Sequence, residues 1–114
     1  MAKKGEVHWV PKGAFVMPLL PKSLGLDPLL SSLLHTVAFL EFSDDDTVDP
    51  DWAVEAMEHV GHYMQQMNSE QIGRVHDQLD RISAHLKKKK QPKQIVDFVA
   101  TFLHAAGVID EDDA

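Results

Sequence analysis

The chain is predicted to be all-α, a four-helix bundle-like domain with an extended, proline-containing N-terminal arm. Three observations carry that prediction. Two Asp-Pro pairs, Asp27-Pro28 and Asp49-Pro50, each stand directly before a helical pattern, and an aspartate N-cap followed by proline at the first helical position is a start signal. The apolar residues downstream recur at spacings of three and four, the period of a helix that buries one face. No stretch alternates apolar with polar residues for long enough to read as a half-buried strand.

Residues 1–26 form the predicted arm. Pro11, Pro18 and Pro21 interrupt any helix, because proline lacks an amide donor and clashes with the preceding turn. Val7, Trp9, Val10, Phe15, Val16, Met17, Leu19 and Leu20 are too apolar for a free tail. The arm is therefore expected to lie across the helices, with a short edge strand near His8–Val10 allowed. The helical domain is predicted over 27–107. Its first helix, about 28–42, carries leucine, valine or alanine on nearly every face, as expected of a central or interfacial helix.

The second helix, about 50–67, is two-faced. Ala53, Met57, Val60, Met64 and Met67 fall on one stripe, while Asp51, Glu55, Glu58, His59, His62 and Gln66 occupy the other side. Asn68 with Gln71 makes a capping-box pattern for a third helix, about 69–89. Its seam runs through Ile72, Val75, Leu79, Ile82 and Leu86, and Lys87–Lys90 close it, where cations complement the dipole. The fourth helix, about 92–106, buries Ile95, Val99, Phe102, Leu103 and Ala106, with Gly107 placed as the residue after its cap. Residues 108–114 read as an acidic tail, fraying over Asp110–Ala114.

A length of 114 residues bounds the chain at one domain with a modest core. The absence of cysteine excludes disulfides and thiolate zinc sites. No signal-like segment opens the chain, and the longest apolar region, Leu29–Phe42, is too short and too polar to span a bilayer. A cytoplasmic protein is expected, with no membrane partner.

The net charge of −7 argues against nucleic acid as a partner, since phosphate binding is driven by lysine and arginine. Its placement is more informative than its sum. From Glu41 to Glu58 there are eight acidic residues and no lysine or arginine. An acidic run of this kind suits a basic partner.

Specific chemistries fit the run poorly. Laid on the calcium-loop template from Asp44, the run puts Val48 at the fifth position and Asp49 where glycine is required, and Pro50 starts a helix inside the loop. The pairs Glu55–His59 and Glu58–His62, each four apart, could hold a metal edge-on, but one helix supplies only part of a coordination shell. Two surface pairs account for them. None of the serines sits in a nucleophile elbow and no phosphate-cradling glycine loop is present. No enzymatic activity, cofactor or metal is expected. Trp52, beside the acids at the start of the second helix, has the character of an interface anchor.

The stretch Leu40-Glu41-Phe42-Ser43-Asp44-Asp45-Asp46-Thr47-Val48-Asp49-Pro50-Asp51-Trp52-Ala53-Val54, with the helix that follows it to Met67, resembles the small acidic immunity proteins of bacterial polymorphic-toxin systems, delivered by contact-dependent or type VI-type secretion. The resemblance covers the general plan of residues 26–107 and is sharpest over 40–67. It implies an antitoxin that binds one cognate protein toxin, with a basic active-site cleft, and blocks it. Asp44, Asp45, Asp46, Asp49, Asp51, Glu55 and Glu58 would then pair with toxin cations around Trp52 as a desolvated anchor, with His59 and His62 on the same partner-binding surface. The alternative is a small helical adaptor or regulatory protein acting through its leucine-rich first helix, which would also allow a homodimer.

Overall fold

A computed structural model describes residues 12–109. Its helices are α1 (Pro28–Phe42), α2 (Pro50–Met64), α3 (Ser69–Lys88), α4 (Lys93–Ala100) and α5 (Phe102–Ala105), preceded by one 3₁₀ turn at Lys22–Leu24. The chain is all-α, a helical bundle-like domain with no strand among the described residues. The edge strand considered near His8–Val10 lies outside them.

The start signals act as their chemistry requires. The Asp27 carboxylate accepts from the Leu29 amide at 2.8 Å, and Asp49 accepts from Asp51 at 2.9 Å. Asn68 and Gln71 exchange side-chain and backbone bonds, both 2.9 Å, in a complete capping box. Each cap satisfies amides that the first helical turn leaves without partners.

Helix ends differ from the sequence expectation at two places. α2 stops at Met64 rather than Met67, because Gln66 and Met67 bond back three residues, to Tyr63 and Met64, tightening the last turn. The single helix expected over 92–106 is broken into α4 and α5 at Thr101, whose φ is −109°. The Thr101 hydroxyl donates to the Asp97 carbonyl at 2.8 Å. Such back-bonding to the preceding turn bends helices.

α3 and α5 end in the same way. After α5, Val108 donates to Leu103 and Gly107 to His104, with Gly107 at φ 76°. After α3, Gln91 donates to Leu86 and Lys90 to Lys87, with Lys90 at φ 59°. Both are Schellman motifs, which need a left-handed residue. Glycine fills one and lysine the other.

The core runs through all five helices and the arm. Leu34, Val37, Leu79, Ile82, Leu86, Val99 and Phe102 are buried, and α3 packs most extensively against α4. Most of the apolar surface of α1 is consumed here, leaving Leu29 as its one large, strongly exposed hydrophobic residue, at 78%. The arm is part of this core: Met17 is only 1% exposed. Phe15 begins a chain of aromatic contacts, Phe15–Phe42–Phe98–Phe102, with centroids 5.3 to 5.6 Å apart. Polar ties hold the arm's described part. Phe15 donates to Ser43 Oγ at 2.9 Å, Asp27 donates to Gln78 Oε1 at 2.7 Å, and the Arg81 guanidinium reaches the Leu24 carbonyl.

The segment after α5 does not begin as a free tail. Val108 and Ile109 are partly buried against the core, since the Schellman turn folds them back over the helix they follow. The acidic residues after them fall outside the described region.

Candidate functional site: an acidic loop beside an apolar groove

The connector between α1 and α2 is a turn held by Asp44. Its carbonyl accepts from Thr47 and Val48, both at 3.0 Å, and its carboxylate accepts again from Thr47 at 3.0 Å. With Asp49 capping α2, two of the acids have work to do inside the fold. Asp45, Asp46 and Asp51 make no side-chain hydrogen bond or ion pair to any described residue. All eight acids from Glu41 to Glu58 are exposed. Asp44, expected with Asp45 and Asp46 on the partner-binding surface, also closes this turn while remaining exposed.

Glu55 pairs with His59 at 3.4 Å on the solvated face. Glu58 does not pair with His62. His62 instead packs edge-on against the Tyr63 ring, centroids 5.1 Å apart, within reach of Gln66. Spacing does not separate the two pairs, since both are four apart; Glu58 lies on the stripe Val54-Glu58-Gly61-Gln65 that lines the apolar groove. Among the described residues no group of three or more histidine or acidic side chains is arranged to hold a metal ion. The loop is not a calcium loop: Pro50 starts α2 and Asp49 spends its carboxylate on Asp51.

Helical spacing sorts the remaining candidates onto two sides of α2. Trp52, His59 and Tyr63 share one stripe, and Trp52 is 72% exposed. Val54, Glu58, Gly61 and Gln65 share another, on the opposite flank of the buried Ala53–Met64 seam. This second flank lines an open groove of about 620 Å³ between the end of α1, the acidic loop, α2 and the end of α5. Leu40, Val48, Val54 and Met57 form its walls, and Glu41, Asp45 and Glu58 bring carboxylates to it. Its bed is made of small residues: Ala53 and Gly61 from α2, with Ala105, Ala106 and Gly107 from the last turn of α5.

The groove was not foreseen from the sequence. It exists because α2 approaches the end of α5 so closely that a Cβ on Gly61 would stand 2.8 Å from the Ala106 carbonyl oxygen. Gln65 locks the approach by donating to that same oxygen at 3.0 Å. The available signal was Gly61 itself, a glycine inside a helix costing about 1 kcal/mol relative to alanine, but it is not a specific one: Gly73, inside α3, has nothing within 4 Å of the place a Cβ would take. No single-sequence rule could have named α5 as the element it meets.

No described helix is long and apolar enough to cross a membrane. No protein-family model, no curated protein and no solved structure matches the chain.

Proposed function

We propose that this protein is an immunity protein: it binds one cognate bacterial toxin domain in the cytoplasm and blocks it, with no chemistry of its own. The observation that carries this reading is the full exposure of the eight acids from Glu41 to Glu58, which among the described residues make the single ion pair Glu55–His59. Only Asp44 and Asp49 have structural employment. Like charges held this close repel, and an isolated domain gains nothing by them. A basic toxin surface turns the repulsion into attraction, which mainly accelerates association, while buried contacts set the dissociation rate. Trp52, exposed beside Asp51, is available to become such a contact.

The test is co-expression with the toxin encoded beside this chain. Wild-type protein is expected to rescue growth, and Asp45→Ser with Asp46→Ser to weaken rescue while leaving the melting temperature unchanged. Failure of the wild-type chain to rescue sinks the immunity reading.

A further inference from the structure

The groove beside the acidic loop combines three properties. Its bed is made of small residues, Ala53, Gly61, Ala105, Ala106 and Gly107. Its walls are apolar, and Val54 on one of them is 58% exposed. Its charged residues are all acids, Glu41, Asp45 and Glu58.

We propose that this groove is a docking site for a short cationic amphipathic helix of a partner protein, which seats a large apolar side chain on the alanine–glycine bed between its own lysines or arginines. The charge selects a basic segment, because among the described residues no cation lines the groove to receive an acidic one. The backbone selects a helix. An extended segment that adds to a sheet edge finds none here, since there is no strand among the described residues, and the groove lining has no aromatic residue of the kind that holds a polyproline segment. A helix satisfies its own amides and needs only an apolar trough. The inference rests on the binding role proposed above for the identity of the partner, and extends it by naming the shape that enters.

The test uses the full chain and, as probe, a synthetic leucine–lysine amphipathic helix of about four turns, with affinity measured by calorimetry. Two triple variants remove the same charge. Glu41→Gln/Asp45→Asn/Glu58→Gln lies in the groove, and Asp46→Asn/Asp51→Asn/Glu55→Gln lies off it. The groove triple is expected to lose about tenfold or more in affinity and the other less than about threefold. Ala105→Trp, at an exposed position, fills the bed and is expected to abolish binding; Val54→Lys, which places a cation on the exposed wall, gives the same result without relying on that substitution. Equal losses from the two triples, or wild-type affinity in Ala105→Trp and Val54→Lys, overturn the proposal. A gain of about tenfold on removing residues 1–11 would assign the groove to the chain's own N-terminal segment and overturn it too. Protection from toxin is read separately. Probe binding without protection leaves the groove standing and sinks the immunity reading, and protection that survives Ala105→Trp does the reverse.

Discussion

The amide of Asp44 donates to the carbonyl of Gly13 at 2.8 Å, and the carboxylate of Asp44 lies where a Cβ on Gly13 would stand. Gly13 also has φ 90°, a conformation that side chains rarely adopt. One residue of the acidic loop thus clamps the arm to the rest of the domain, and the clamp tolerates only glycine opposite it. Gly13→Ala is expected to destabilise the protein by about 1–3 kcal/mol, lowering the melting temperature by roughly 4–8 °C per kcal/mol for a domain of this size. A thermal melt followed by circular dichroism checks it. An unchanged melt would mean that the clamp contributes nothing.

The arm's hydrophobic anchor makes a larger prediction. Met17 is 1% exposed and belongs to the core cluster. Met17→Ala removes its packing and leaves a cavity, at a cost of about 2–5 kcal/mol. Val16→Ala, one residue away at an exposed position, should change stability by less than about 0.5 kcal/mol. Urea denaturation of the two variants separates an arm that is part of the fold from one that merely lies on it.

The two Schellman turns predict opposite responses to glycine chemistry. Lys90→Gly replaces a strained left-handed lysine and should stabilise the domain by up to about 1 kcal/mol. Gly107→Ala should destabilise it by about 1 kcal/mol or more, because φ is 76° and the Gln65 side-chain amide fills the space a Cβ would need. Midpoints of chemical denaturation with unchanged slope would report both.

The acids are expected to divide by stability. Asp49→Ala removes the α2 cap and should cost about 1 kcal/mol. Asp45→Ala and Asp46→Ala should cost nothing measurable or stabilise slightly, since each relieves repulsion. Trp52→Ala should likewise stay within about 0.5 kcal/mol because the ring is exposed. If Trp52→Ala instead proves strongly destabilising, the side chain is a folding element and its anchor role falls.

Salt gives an independent reading of the binding proposal. With a toxin partner, the association rate should fall as ionic strength rises past the point where the screening length is about 10 Å, and the dissociation rate should change little. Stopped-flow mixing at two salt concentrations distinguishes this from contact through α1, whose exposed large apolar surface is confined to Leu29 and whose association would be insensitive to salt.

Much of the architecture was legible because it depends on local chemistry. The caps at Asp27, Asp49 and Asn68, the seam of α3 from Ile72 to Leu86, and the glycine after α5 each follow from residues a few positions apart. Their hydrogen bonds close within one turn, so spacing alone carries the information. The acidity of residues 41–58 is likewise a property of the chain itself.

What the sequence could not contain is which surfaces meet. That Asp44 is held by Gly13, 31 residues away, that Met17 enters the core, and that Gly61 lies against Ala106, 45 residues away, are facts of tertiary contact. The break at Thr101 carries a back-bonded hydroxyl, but Thr36 makes the same bond to Ser32 inside the unbroken α1, so the residue type alone does not announce it. The acidic run could be read as a charge, but its division into structural acids, groove acids and free acids depends on what each faces. By itself, the sequence determined the all-α class, the capped starts of α1, α2 and α3, and the sign of the surface. Only the tertiary structure decided the groove, because a groove is the space left between elements, and no residue encodes it alone.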